Sequence, residues 1–224
     1  MRIVFFGDSL TWGGYGGSYF DALARYLPSV ERINAGAGGD TVINLLRRLD
    51  HDVIARGPDA VFVMVGSNDA IAYSQPNTRS YYRQTKALSR GFVAPELFEQ
   101  TYRELLIRLQ LEHIQVWVGL PPIEYNADVL AALEAFNARA EGVARSLAIP
   151  TLDLLAEFRP AAIPDREPLG VGDILRVGRR IAEGWQDYPS AQAAGGFTFT
   201  FDGLHFTPEA AERAAARIAA FIQA

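Results

Sequence analysis

The chain has 224 residues, of which 49% are apolar and 21% charged, with a formal net charge of −5. That length suits one domain with a sizeable buried core, and the acidic balance argues against nucleic acid or an anionic membrane surface as partner. There is no cysteine, and Lys86 is the only lysine, which excludes disulfides, thiolate zinc sites, cysteine nucleophiles and a Gly-x-x-x-x-Gly-Lys phosphate loop.

The first element in chain order is residues 3–6, a run of four apolar residues that is too short for a secretory leader. No stretch approaches a membrane span, so the expectation is a cytoplasmic protein. Similar runs follow at 32–34, 60–65, 114–119 and 149–153. They are rich in Val, Ile and Phe, too short for helices, and lack polar alternation, as parallel strands covered on both faces do. Helical patterns separate them. Residues 41–55 form one. In 96–112, Phe98, Tyr102, Leu105 and Leu109 recur at helical spacing and make one apolar stripe. Residues 128–147 are rich in Ala and Leu and stop before Pro150. The last helix opens at Thr207-Pro208-Glu209, a capping hydroxyl, a first-turn proline and a first-turn acid. Strands alternating with helices predict an α/β/α sandwich over residues 1–224, with five parallel strands in flavodoxin-like order. Two segments fit this skeleton poorly, 71–95 and 159–200. Both are rich in aromatic residues, and both are expected to be lids or pocket insertions.

Ligands of such sheets bind at the carboxyl ends of the strands, so chemistry-bearing residues belong just after a strand. Three clusters sit there, and a fourth lies just before the last helix: Gly7-Asp8-Ser9-Leu10, Asn34 to Thr41, Gly66-Ser67-Asn68-Asp69, and Asp202-Gly203-Leu204-His205. A serine hydroxyl needs an adjacent base to become a nucleophile. Of the three histidines, His205 is the best candidate because Asp202 precedes it by three residues, a spacing that lets a carboxylate reach the imidazole on a tight turn. His51 and His113 read as surface or helix-end residues, Asp8 as a structural hydrogen-bond partner, and Asp69 as a support for its loop.

In order and wording these clusters resemble the four blocks of the GDSL/SGNH hydrolase family, from Gly7 to the final helix. The resemblance implies a serine esterase acting on a small-molecule ester, thioester or O-acetyl group through an acyl-enzyme. Ser9, His205 and Asp202 form its triad, and no metal or organic cofactor takes part. It also implies an oxyanion hole made by the Ser9 N–H, a block-two glycine N–H and the Asn68 amide. Gly36, Gly38 and Gly39 all compete for the glycine role. The family's Gly-Asp-Thr wording selects Gly39, leaving Gly36 and Gly38 as turn glycines at positive φ. Trp12 and Tyr15 are candidates for lining the substrate pocket, with two aromatics packing on a glycine-rich turn as the alternative.

Two other classes stand beside this reading. One is a relative that binds acyl or carbohydrate groups without hydrolysing them, which a fluorophosphonate would leave unlabelled. The other is a dinucleotide-binding domain. For that, the third glycine of the fingerprint is replaced by Thr41, and the expected acid about 20 residues on is missing.

Overall fold

The computed structural model describes residues 1–160 and 162–224. Strands β1 (Arg2–Gly7), β2 (Glu31–Gly36), β3 (Ala60–Met64), β4 (Gln115–Leu120) and β5 (Thr151–Asp153) pair in parallel in the order β2-β1-β3-β4-β5. That is the expected flavodoxin-like arrangement. Between them run α1 (Ser9–Trp12), α2 (Tyr19–Tyr26), α3 (Val42–Asp52), α4 (Ser67–Ser74), α5 (Arg79–Thr85), α6 (Pro95–Leu111) and α7 (Ala127–Ser146). The chain continues through α8 (Leu154–Phe158), α9 (Val171–Ala182), α10 (Tyr188–Gly195) and α11 (Pro208–Gln223).

The two-residue period of a strand divides the core between two layers. Val4 and Phe6 of β1 and Val61 and Val63 of β3 pack under α3, α6 and α7. Ile3, Phe5, Ala60 and Phe62 point the other way, against α2, α8 and α11. Continuous apolar runs hold for the central strands, whereas the edge strands depart from them. β2 carries Arg32 and Asn34 on half-open faces and is longer than residues 32–34, because its ladder with β1 runs on to Gly7 opposite Gly36. β5 begins later than residue 149. Pro150 has no N–H to donate, although its carbonyl accepts from Val118 N–H at 3.0 Å.

Helix ends follow local chemistry. Asn126 caps α7 through Val129 N–H at 2.9 Å, and Thr207 caps α11 through Ala210 N–H at 3.2 Å with Pro208 in the first turn. Among the described residues no helix is long and apolar enough to cross a membrane. Both poorly fitting segments carry helices: α5 lies in one, α9 and α10 in the other. Register places the functional end of the sheet. Gly7 lies level with Gly36 and with Met64, so the loops leaving β1, β2 and β3 emerge side by side.

Candidate active site

β1 ends at a glycine because no side chain fits there. A Cβ on Gly7 would lie 2.2 Å from Thr11 Oγ1 and 2.4 Å from the Met64 carbonyl oxygen. The chain then turns into α1, capped by Asp8, whose Oδ1 accepts from Leu10 N–H at 3.0 Å. Ser9, the first residue of α1, is 2% exposed, and its Oγ lies 2.9 Å from His205 Nε2. His205 Nδ1 lies 2.6 Å from Asp202 Oδ2. A carboxylate only accepts, so Nδ1 donates to it, and in the neutral imidazole Nε2 is left to accept from the serine hydroxyl. Asp202 is itself fixed: its Oδ1 accepts from the N–H groups of Leu204 and His205 at 3.0 and 2.7 Å. Burial alone would raise its pKa, but the charge and hydrogen bond of His205 and these two N–H groups outweigh burial and hold the carboxyl below its ordinary value.

Asn68 stands at the start of α4, after Gly66, and lines the same cavity as Ser9. Its Oδ1 accepts from the Tyr82 hydroxyl at 2.9 Å, and one Nδ2 hydrogen goes to Asp8 Oδ2 at 3.2 Å. The amide plane is therefore held from both ends, and the second Nδ2 hydrogen has no acceptor among the described residues. Burial pushes the Tyr82 hydroxyl well above its ordinary pKa, with Tyr81, Asp69 and Asp8 adding to the effect, so it stays a donor.

Gly39 occupies the second corner of a turn closed by Asp40 N–H to the Ala37 carbonyl at 3.2 Å. Its φ of 77° favours glycine, and a Cβ there would meet Tyr81 Oη at 2.7 Å and Lys86 Cε at 2.8 Å. Of the three competing glycines only Gly39 has positive φ, so the expectation for Gly36 and Gly38 is corrected. Gly36 is needed for close approach: a Cβ would lie 2.1 Å from the Trp12 nitrogen.

Three buried carboxylates lie beneath the site. Asp40 is neutralised by Arg48 Nε at 2.7 Å and Lys86 Nζ at 2.9 Å. Asp8 is pushed up to about 6, chiefly by burial and also by Asp40, against the lowering effects of Leu10 N–H, His205 and Asn68. Asp69 is raised well above its ordinary value, again first by burial, while Val42 N–H opposes and Asp8 reinforces. Both fit the structural parts read from sequence. His51 pairs with Asp52 on the surface, and His113 sits at positive φ after α6.

Ser9, Asn68, Gly39, Asp202 and His205 open onto a cavity of about 800 Å³. Tyr15 lines it and meets the His205 ring edge-on, with centroids 4.9 Å apart. Trp12 does not line it. It is 43% exposed and packs edge-on against Tyr15. The far wall is α9, contributing Ile174, Val177 and Gly178, together with Arg166, Leu169 and Phe197. Among the described residues no three His, Asp or Glu side chains are grouped as metal ligands.

Sequence reasoning missed four residues that hold the site. Arg48 donates to the Gly7 and Ala35 carbonyls at 2.8 and 2.7 Å, tying the ends of β1 and β2. Tyr82 and Lys86 lie in the segment expected to be a lid. Glu124 follows β4, the one strand end among the first four from which no residue was selected. A positional signal was there for Glu124, and the solitary lysine was another.

The GDSL-like Lipase/Acylhydrolase family model matches residues 5–213. No curated protein matches the chain in sequence. Among solved structures it is similar to an acetyl xylan esterase, at 19% identity and TM-score 0.65 over 97% of this chain and 98% of that one. It is also similar to the lipase/acylhydrolase from Enterococcus faecalis, at 23% and 0.64 over 99% and 95%. An acetylxylan esterase from Geobacillus stearothermophilus aligns at 18% and 0.68 over 99% and 93%. At such identities these likenesses speak to the fold, whereas the family match spans nearly the whole chain and all four clusters. The chain belongs to the GDSL-like lipase/acylhydrolase family and is a carboxylic ester hydrolase.

Proposed function

We propose that Ser9 is the nucleophile of this hydrolase, His205 its general base and acid, and Asp202 the carboxylate that orients the imidazole. The observation that carries this reading is the unbroken chain of contacts from Asp202 Oδ2 through His205 to Ser9 Oγ, at 2.6 and 2.9 Å, at the cavity wall. As Ser9 Oγ attacks the ester carbonyl, its proton passes to His205 Nε2. Asp202 stabilises the imidazolium so formed. The carbonyl oxygen becomes an oxyanion, received by the N–H groups of Ser9 and Gly39 and the second Nδ2 hydrogen of Asn68. A fixed donor in such a site is worth on the order of 3 kcal/mol of barrier. The tetrahedral intermediate collapses, His205 protonates the departing alcohol, and the acyl group remains on Ser9. Water, deprotonated by His205, attacks the acyl-enzyme by the same route and regenerates the serine.

The cavity favours an apolar acyl or aryl group, since Ile71, Leu169, Ile174, Val177 and Phe197 contribute to its walls. A second reading, removal of an acetyl group from a carbohydrate, draws on the acetyl xylan esterases of similar fold and on Tyr15, Tyr81 and Tyr125 around the cavity. In either reading the chain acts as one hydrolase domain, with residues between 166 and 197 contributing to the pocket wall. Ser9→Ala tests the core of the proposal: kcat on p-nitrophenyl acetate should fall by several orders of magnitude, and near-normal turnover would remove Ser9 from its role. A chain-length series of p-nitrophenyl esters beside an acetylated xylo-oligosaccharide separates the two substrate readings.

A further inference from the structure

Glu124 lies just beyond β4, 0% exposed, and accepts five hydrogen bonds from one short segment. Its Oε2 takes Thr198 N–H at 2.9 Å and Thr198 Oγ1 at 2.7 Å. Its Oε1 takes Phe199 N–H at 2.9 Å, Thr200 N–H at 2.7 Å and Thr200 Oγ1 at 2.7 Å. No arginine, lysine or histidine nitrogen lies within ion-pair distance among the described residues. The buried carboxylate is thus held by donors alone, three of them backbone N–H groups that cannot turn away.

That segment is the base of the loop carrying the acid and the imidazole. Thr200 and Phe206 form an antiparallel bridge, Phe201 N–H bonds the His205 carbonyl at 3.1 Å, and Thr207 N–H bonds the Phe199 carbonyl at 3.1 Å. A second set of ties joins the two sides. Glu124 N–H donates to the Gly203 carbonyl at 3.0 Å, and Thr200 Oγ1 accepts from Gly203 N–H at 3.0 Å. Gly203, at φ 91°, sits so close that a Cβ would lie 2.8 Å from Tyr125 Cα. The loop is therefore stitched to the end of β4 on both sides of Asp202, while its imidazole reaches across to the end of β1.

We propose that Glu124 is a positioning residue: its carboxylate sets the Thr198–Thr207 loop in the one placement that brings His205 Nε2 within bonding distance of Ser9. This rests on the triad reading above. A glutamine is isosteric, yet its NH₂ must face donors at one of the two oxygens, so Glu124→Gln loosens the clamp without altering size or the cavity lining.

The test uses the full chain with p-nitrophenyl acetate, below the unfolding temperature of each variant. Glu124→Gln should lower kcat on the order of 10- to 100-fold with KM within about twofold, because a base displaced by a fraction of an ångström still admits substrate. In an Asp202→Asn background the same substitution should cost less than about threefold, since both act through the imidazole. Thr200→Val should lower kcat in the same direction, and Thr200→Ser, which keeps the hydroxyl, should restore it. If Glu124→Gln does not yield folded protein, the Thr200 pair decides by the same criteria. Unchanged kcat, a rise in KM alone, or a full additional loss in the Asp202→Asn background would overturn the proposal. His205→Ala tells this failure from failure of the triad: if it keeps activity, the triad reading itself is wrong, whatever Glu124→Gln does.

Discussion

Residues 71–95 and 159–200 look alike in sequence, both aromatic-rich and both outside the strand–helix alternation, and both reach the cavity, yet the fold holds them differently. The first is built into the frame. Tyr82, Leu88 and Val93 are buried, Arg79 donates to the Ala72 and Tyr73 carbonyls, and Lys86 and Ala87 offer carbonyls to Asn44 and Arg47 of α3. The second walls the cavity. No residue of α9 or α10 is fully buried, Leu175 is 52% exposed, and among the described contacts the segment is anchored mainly at Leu169, through Gln75, and near Thr198–Thr200, through Glu124. Aromatic content therefore does not distinguish a support from a wall. Burial of the helices does: α5 buries Tyr82, whereas α9 and α10 bury no residue.

If residues 71–95 serve the transition state and the α9 wall serves substrate fit, changes in the two should split between kcat and KM. The largest effect belongs to the frame. Asn68→Ala should lower kcat about 100- to 1,000-fold with little change in KM, as loss of an oxyanion donor does. Tyr82→Phe, which frees the amide, should cost roughly tenfold in kcat and almost nothing once Asn68 is already alanine. A Tyr82→Phe effect that persists in full without Asn68 would break the link between this segment and the amide.

A smaller effect is expected at Asp8, in opposite directions for rate and stability. Its folded-state pKa of about 6 lies above the ordinary 3.8, so the native state binds this proton more tightly than the unfolded chain. Its contribution to stability is therefore full below the lower value and fades as pH rises through about 6, reaching a penalty on the order of 3 kcal/mol. Asp8→Asn carries no charge. Its melting temperature relative to the parent should improve between pH 4 and pH 7.5, while kcat drops about tenfold because Asn68 loses its acceptor. A melting difference that is flat across that range would contradict the buried charge.

The smallest change lies in the wall. Ile174→Ala should raise KM for a p-nitrophenyl hexanoate roughly fivefold and leave p-nitrophenyl acetate unaffected, the scale of a few methylenes in an apolar pocket. Equal effects on both esters would mean that α9 does more than fit the acyl chain.

These contrasts mark how far local sequence reaches. The candidates Ser9, Asp202 and His205 stand out because each sits in a short stretch with its own chemistry, and the central strands because burial on both faces leaves only apolar residues. Asp8, read from the sequence as a structural hydrogen-bond partner, caps the Leu10 N–H. Tyr82, Arg48 and Glu124 carry no such local mark. Their partners lie 14, 41 and up to 76 residues away, and a tyrosine or glutamate bound for burial looks like any other until the chain closes around it. The edge strands were blurred for a related reason, since one open face admits polar residues.

By itself the amino-acid sequence determined the parallel sheet, the order of its chemical clusters and the residue types able to run acyl transfer, because strand period, helix caps and turn spacing are all short-range. Only the tertiary structure decided which donor and which acceptor hold the Asn68 amide, which glycine needs its left-handed turn, and how an imidazole 196 residues from its serine is held at 2.9 Å. Those are matters of loop closure and burial, in which a hydrogen bond gains its worth from partners that no local pattern can specify.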